Sequence, residues 1–391
     1  MDSNEKKTVL ITCSPHLVDY LKLELQELGF PPVSWHRAGV EVCASLNDTM
    51  MLNFSLRTAY NVLYLLKSFT CQDSESLYNQ ISTIPWEDII SPDEYFTVIS
   101  RVDNPTINNS MYPNLKVKDA IVDRIADKTS FRPTTGNKRD NVVVNLYWKD
   151  QLCWLYLNTS GVKLSDRNYR KMPHKAPMRE SLAAAVISET EYDGTVPFVN
   201  PMCGSGTLAI EAALLATGRP PGLLRTNFAL MHLKTFDAEK FKDLRIKLKK
   251  KSNKIKIAPI IATDIDPAAV VAAEKNAQTA GVDHLIEFKV CDFAKTSIPP
   301  QEGIVILNPE YGHRLGEIKE LEATYERIGD FLKKNCAGYT GFIFTGNLDL
   351  AKKIGLKTSR RIPFFNADIE CRLLKYKLYQ GSKKQYSPKD G

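Results

Sequence analysis

In the last third of the chain the apolar run Gly303 to Leu307 gives way to Asn308, Pro309, Glu310 and Tyr311, followed by Gly312, His313 and Arg314. A plain turn needs only Pro and Gly. An amide, an imide ring, a carboxylate and a phenol in succession at a strand exit point instead to something planar, with an amino group, being held there. The simpler reading is an ordinary exit from the core, with Glu310 facing solvent and paired to Arg314.

A second exit carries glycines. Phe198 to Pro201 reads as a buried strand and Thr207 onward as a helix, and between them lie Met202, Gly204, Ser205 and Gly206. Glycine lets the backbone approach a ligand closely, and the helix N-terminus supplies amide donors. With Ala209 the spacing satisfies a loose dinucleotide fingerprint, but a nicotinamide site would place its ribose-binding acid about 20 residues on. Here the next strand-end acid, Asp264, comes about 60 residues later, beyond a basic insertion.

Asp264, followed by Ile265, could still take both ribose hydroxyls, and a third strand end offers Asp292, before Phe293, to an adenine amino group. Three strand ends lining one crevice suit a nucleoside with a charged tail. S-adenosyl-L-methionine is such a molecule, and the residues expected to hold it are Asn200, Pro201, Met202, Gly204, Ser205, Gly206, Thr207, Asp264, Ile265, Asp292, Phe293 and Asn308. Taken singly, each Asp could merely cap the helix that follows it.

The elements that must position these groups alternate. From about Val196 onward, short apolar runs and amphipathic helices follow one another, which predicts a parallel sheet covered on both faces. The closing stretch Arg360 to Gln380 has the half-alternation of one antiparallel edge strand. The fold class expected is α/β, a doubly wound domain with an added strand. Upstream, Lys7 to about Val42 reads as a small β-α-β unit whose helix ends at Gly29. From Ala44 to Leu157 comes a mixed segment, with helices expected around Thr49–Phe69 and Asn114–Ser130 and strands around 95–102 and 141–150. The tail from 381 to 391 has the composition of a disordered segment.

At 391 residues, 43% hydrophobic and 25% charged, the chain suits two or three domains of a globular protein. The first residues lack the apolar length of a signal peptide or membrane span, so a cytosolic location and no membrane partner are expected. The 8 cysteines are scattered without metal-ligand or framework spacing, so neither metal nor disulfide is expected. A surplus of +7 favours a polyanion. Arg132, Lys138, Arg139, Arg167, Arg170, Lys171, Lys175 and Arg179 recur near aromatics such as Tyr169 and could follow a phosphate backbone. The densest charge, Lys240 to Lys256, reads equally as an RNA-gripping helix or as a solvated one.

Taken together, the stretches NPMCGSGTLAIEAA, TDIDPAAVVAAEKNAQTAG and NPEYGHRLG resemble the cofactor loop, ribose segment and NPPYG-type catalytic motif of the THUMP-containing class I RNA methyltransferases, nearest the large-subunit (23S) ribosomal RNA guanine-N2 methyltransferases. NFSLRTAYNVLYLLKSF, VKDAIVDRI and LNTSGVKLSDRNYRKMPHKAPMRESLAAAVI resemble the RNA-binding half and its connector, so the resemblance covers nearly the whole chain. It implies a ferredoxin-like part at 1–43, a THUMP RNA-binding domain at 44–157 and a Rossmann-like methyltransferase domain at 158–380, with a seven-stranded sheet whose last strand is antiparallel. Two departures stand out: Asn200 occupies the place of the usual Asp, and Glu310 that of the usual second Pro.

The resemblance implies S-adenosyl-L-methionine as cofactor and RNA, 23S ribosomal RNA or a large-subunit assembly intermediate, as partner. Asn308, Pro309, Glu310 and Tyr311 become the catalytic set. If Asn308 Oδ1 and the Pro309 carbonyl accept the two N–H bonds of an exocyclic amine, its nitrogen can pyramidalise and present a lone pair to the methyl group, while Tyr311 stacks on the base. Glu310 beside Asn308 would favour guanine, whose edge presents N1–H and N2–H donors. Other readings remain open: a transfer RNA guanine, adenine N6 or a protein glutamine as the amine, or a weakly catalytic RNA-binding assembly factor.

Overall fold

The computed structural model describes residues 2–91, 93–104, 111–172, 177–252, 256–312 and 315–379. Lys175, Arg314 and the tail from 381 to 391, which figured in the expectations above, lie outside them. The chain forms two compact units, Met1–Arg167 with Pro220–Lys251, and Asn168–Arg219 with Ser252–Gly391. The stretch between 220 and 251, expected inside the methyltransferase domain, thus packs with the N-terminal unit.

The first unit is built on strands β1 (Lys6–Cys13), β2 (Ser34–His36), β3 (Gly39–Ser45), β4 (Ala59–Thr70), β5 (Tyr95–Asp103), β6 (Thr134–Thr135), β7 (Val142–Lys149) and β8 (Leu152–Asn158), in the order β2-β3-β1-β4-β8-β7-β5-β6. Because β1 pairs with β3 on one side and β4 on the other, a single sheet runs through both N-terminal segments. Helix α1 (Val18–Glu27) buries Leu21 and Leu25 and gives way to Gly29 at φ 84°, a left-handed conformation that glycine adopts without strain. Helices α2 (Asp48–Ser55), α3 (Ser74–Ser82) and α4 (Met111–Thr129) complete this part.

The helix expected through Phe69 stops at Ser55, and Ala59–Thr70 is instead the central strand β4. The Glu24 carboxylate accepts the backbone N–H groups of Arg57 (2.7 Å) and Thr58 (3.1 Å), donors that a continuing helix would have kept for itself. Beyond that point Tyr60, Val62, Tyr64 and Phe69 are aromatic and β-branched, and the ladders to β1 and β8 take up the backbone groups.

The second unit begins with helix α5 (Glu180–Glu189) and carries strands β9 (Phe198–Pro201), β10 (Ile260–Asp264), β11 (Ile286–Val290), β12 (Ile304–Leu307), β13 (Thr340–Thr345), β14 (Arg360–Asn366) and β15 (Ile369–Lys377), in the order β11-β10-β9-β12-β13-β15-β14. The strand order reverses at β9, whose neighbours β10 and β12 both run parallel to it. Helix α6 (Thr207–Ala216) follows β9. Helix α7 (Ala238–Ser252), up to Lys251, belongs with the first unit, while α8 (Pro267–Ala280), α9 (Leu315–Asn335) and α10 (Leu348–Lys353) return to the second.

The last strand is antiparallel, but the expected single edge strand is a hairpin, and β15 lies between β13 and β14. Ala367 makes the turn at φ 53°. No glycine marks it, so the sequence reads as one continuous run. β15 buries Cys371 and Leu373 on one face and Leu374 and Tyr376 on the other, as an interior strand covered on both faces requires.

Candidate active site

The C-terminal ends of β9, β10, β11 and β12 share one edge of a parallel sheet, where loops leave the core and ligands bind at a reversal of strand order. Asn200, near the end of β9, is fully buried, and its Nδ2 donates to the Ile306 carbonyl on β12 at 3.0 Å. Only an amide nitrogen can donate to a carbonyl, so that bond fixes the amide's orientation. Asn200 Oδ1 is left as an acceptor without a hydrogen-bond partner among the described residues.

The chain then turns through Met202 (φ 59°), Gly204 (φ 54°) and Gly206 (φ 82°) into α6. The two glycines do different work. A Cβ on Gly206 would stand 2.9 Å from the Ala273 Cβ on α8, so its bare backbone permits helix packing; around Gly204 such an atom would meet nothing within 4 Å. Gly204 is therefore the open cradle, and its N–H donates to Asp264 Oδ2 at 2.9 Å. Asp264 Oδ1 accepts the Asp266 N–H at 3.0 Å. Each oxygen keeps a lone pair for a further donor, and Ile265 beside it is 68% exposed, an apolar side chain lying open next to a carboxylate. Asp266, rather than Asp264, caps α8 through the Ala268 N–H.

Asp292 behaves otherwise. Its Oδ1 accepts the Ala294 N–H at 2.9 Å, and Arg327 bridges both oxygens at 2.8 and 2.7 Å while lying 4.8 Å over the Phe293 ring. Burial pushes this carboxyl up, but the Arg327 hydrogen bonds, the Ala294 amide and the charges of Arg327 and Lys295 outweigh it and hold the group below the usual carboxylate range.

At the end of β12, Asn308 is half-buried and its Oδ1 has no hydrogen-bond partner among the described residues. Pro309 is buried. Glu310 is exposed, and its backbone carbonyl accepts from Tyr325 Oη at 3.3 Å. The Tyr311 ring lies against Gly346, where an added Cβ would come within 3.0 Å of it, and its hydroxyl accepts from Asn366 Nδ2 at 3.1 Å. Burial raises its phenol, which stays protonated. Tyr325 and Asn347, whose Nδ2 donates to the Tyr311 carbonyl at 3.4 Å, thus brace the loop from below.

Two of the residues expected to grip phosphate do not face solvent. Arg167 is 1% exposed and donates to the Arg57 carbonyl at 2.7 Å. Arg170 donates to Glu180 at 3.1 Å, to the Met178 carbonyl at 2.8 Å and to Ser205 Oγ at 3.1 Å, so it braces the cofactor loop. Tyr169 is buried and bonds Glu211 at 3.2 Å. Arg132, Lys138 and Arg139 in the first unit, and Lys171 and Arg179 in the second, are exposed.

Sequence reasoning missed Asn276. Buried on α8, its Oδ1 accepts the N–H groups of Lys171 (2.9 Å) and Met172 (3.1 Å), and its Nδ2 donates to the carbonyls of Met172 (3.0 Å) and Ser205 (3.2 Å). One amide thereby ties the 171–172 strap to the glycine loop. The available signal was a lone Asn in the apolar spacing Ala269, Ala272, Ala273, Ala277, Ala280.

Residues 167–375 match a family described as RMKL-like, methyltransferase domain, residues 71–158 match a THUMP domain and residues 8–63 an RlmL ferredoxin-like domain. The chain is 33% identical over 356 residues to a "Putative RNA methyltransferase" of Synechocystis sp., with 91% of this chain and 93% of that protein covered.

The chain belongs to the RMKL-like methyltransferases. A ribosomal RNA large subunit methyltransferase K/L of a Shewanella species is 32% identical over 372 residues, 94% of this chain and 52% of that protein, so the chain spans about half the length of the K/L relatives it matches. SMU.472, a "putative methyltransferase complexed with SAH", shares the fold at a TM-score of 0.86 and 23% identity, covering 98% of this chain and all of that one. As in other RMKL-like methyltransferases, the methyl donor is S-adenosylmethionine. The orphaned Asn200 oxygen, the open Gly204 cradle and the lone pairs of Asp264 beside Ile265 are a donor-seeking, partly apolar set that suits its amino group, main-chain-like tail, ribose and adenine. Among the described residues no helix is long and apolar enough to cross a membrane.

Proposed function

We propose that this methyltransferase transfers the methyl group to the exocyclic N2 amine of a guanine in RNA, with 23S ribosomal RNA as the substrate and the cytoplasm as its place of action. The observation that carries the reading is Asn308 Oδ1, a buried acceptor without a hydrogen-bond partner among the described residues. An oxygen left so costs about 1 to 3 kcal/mol, and at the end of β12, on the ligand-binding edge of the sheet, a substrate's N–H donor would return that cost.

Bound S-adenosylmethionine supplies an electrophilic methyl group. The chain's own contribution is positioning. Asn308 Oδ1 and the Pro309 carbonyl accept the two N–H bonds of the amine, which draws its lone pair out of conjugation with the ring. The brace under Tyr311 keeps that loop rigid enough to hold the nitrogen in line. Asn200 Oδ1, next to the glycine loop, accepts from the amino group of the methyl donor's tail, and Asp264 takes the ribose hydroxyls. A guanine within folded RNA must leave its stack to reach such a pocket. The RNA-binding role rests on the THUMP match and on the exposed Arg132, Lys138 and Arg139 in the same unit.

The test is incubation of the full chain with S-adenosylmethionine labelled in the methyl group and unmodified 23S ribosomal RNA transcript, followed by nucleoside analysis. Label in N2-methylguanosine is expected. Label in N6-methyladenosine alone, or none in the 23S transcript while a transfer RNA transcript is labelled, would replace the amine or the substrate respectively.

A further inference from the structure

Helix α7 carries seven cations against two acids, most of the chain's surplus of +7, within 15 residues. It is spliced into the sequence of the methyltransferase unit yet belongs to the first unit, so the chain passes between the units three times. Its attachment is apolar and one-sided. Phe241 is buried against an aromatic cluster, its ring centroid 4.9 Å from Phe54, 5.4 Å from Phe236 and 6.1 Å from Phe228. Leu244 and Leu248, three and seven positions on, lie half-buried on the same face.

The opposite face presents Lys240, Lys242, Lys247, Lys249, Lys250 and Lys251, all exposed. Lys240 pairs with Asp237 at 3.4 Å, whereas Lys242, Lys247, Lys250 and Lys251 make no ion pair or side-chain hydrogen bond among the described residues. Complementing the helix dipole would account for charges in the last turn only, and Lys240, Lys242 and Lys247 stand before it. A solvated helix gains most from opposite charges four apart; this one offers a single such spacing, Asp243 to Lys247, and otherwise places like charges side by side.

We propose that α7 is a phosphate-binding surface of the RNA-binding unit, an insertion that extends the grip on the RNA substrate beyond the exposed cations of the THUMP-matching segment. The inference rests on the RNA reading above. A polyanion satisfies side-by-side cations and releases condensed counterions as it binds. A bilayer fits worse, because Ile246 is the one large apolar side chain exposed on that face and offers little to insert.

The experiment compares the intact chain with the fourfold variant Lys242→Gln, Lys247→Gln, Lys250→Gln, Lys251→Gln, chosen because glutamine keeps helix propensity and none of the four touches the core. Binding to a 23S ribosomal RNA transcript is measured across a salt series, with S-adenosylmethionine titration and helical circular dichroism confirming the fold. The expected result is roughly a 10- to 100-fold loss of RNA affinity at moderate salt and a log–log salt slope shallower by about 3, with cofactor affinity unchanged. The fourfold Lys→Arg counterpart should bind as the parent does. Equal affinity and equal slope in a parent that binds and methylates the transcript would overturn this proposal alone. A loss of affinity with the slope unchanged would overturn it too, since phosphate contacts must alter both. Loss of binding to anionic phosphatidylserine vesicles, with RNA affinity kept, would reassign the helix to a membrane surface. A parent that binds no RNA at any salt would sink both this inference and the function on which it rests.

Discussion

The ends of β12 and β11 carry residues of similar promise and opposite condition. Asn308 follows one and holds a buried oxygen with no hydrogen-bond partner among the described residues; Asp292 follows the other, with an amide and a guanidinium on its oxygens. On residue type alone, both would count as ligand groups. Polar valence separates them: a satisfied carboxylate helps hold its own loop, while an unsatisfied amide oxygen at a strand end costs folding free energy that a ligand's donor can return. Asn200 and Asp264 fall between, one with an orphaned oxygen and the other with two backbone bonds and lone pairs to spare.

The comparison breaks most sharply at Asn308. Asn308→Ala is expected to lower kcat for methyl transfer by about 10² to 10³ while leaving S-adenosylmethionine affinity nearly intact, the range for removing one oriented group at a reacting centre. Its thermal midpoint should not fall, because the substitution removes an orphaned acceptor and no hydrogen bond that the fold makes through Oδ1. Turnover like that of the parent would remove Asn308 from the mechanism. A midpoint several degrees lower would mean that its oxygen is satisfied after all.

Asp264→Ala comes next. Losing a charged acceptor for two hydroxyls should weaken S-adenosylmethionine by roughly 2 to 4 kcal/mol, with part of the loss arising because the Gly204 N–H is set free and the glycine loop loosens. Calorimetric titration reads this directly. An affinity within threefold of the parent would hand the ribose to another group.

Asn200→Asp sharpens the comparison by adding charge where the structure has an amide. A carboxylate there would face the Ile306 carbonyl in place of the amide's donated hydrogen bond, so the cofactor-free protein should lose about 1 to 3 kcal/mol of stability. The bound cofactor's amino group would offset part of that loss. The upward shift of the thermal midpoint on adding S-adenosylmethionine is therefore expected to be larger in the variant than in the parent. Equal shifts would place the amino group away from Asn200.

Much of this site was legible because its signals are local. Asn308-Pro309, the Gly204-Ser205-Gly206 turn and Asp264 each announce themselves within a few residues, where strand, turn and helix follow one another. What escaped depends on partners far away in the chain. Arg167 and Arg170 look like surface cations until the Arg57 carbonyl and the Glu180 carboxylate are seen to hold them. Asn276, 105 positions after Lys171, ties the 171–172 strap to Ser205. The place of α7 in the first unit follows from Phe241 meeting Phe54, a contact no periodicity could announce. The hairpin at Ala367 was hidden for a local reason: a positive φ taken by a residue that is not glycine.

The smallest effect belongs to Asp292. Asp292→Asn keeps an acceptor for the Ala294 amide and removes the charge that Arg327 bridges. Because the Arg327 side chain is 53% exposed, solvent screens the pair, and about 0 to 1 kcal/mol of stability is at stake. Its sign against pH follows from the depressed carboxyl: the contribution is present above the ordinary carboxylate range, where the unfolded chain is also ionised, and is lost as pH falls through the lowered folded value. Denaturant midpoints of parent and variant should therefore differ slightly at neutral pH and converge in acid. If the oxygens of Asp292 are engaged in holding the loop, S-adenosylmethionine affinity should change by less than about threefold, well under 1 kcal/mol. A tenfold loss would show that Arg327 yields the carboxylate to the adenine amino group, and that satisfied valence does not exclude a residue from this site.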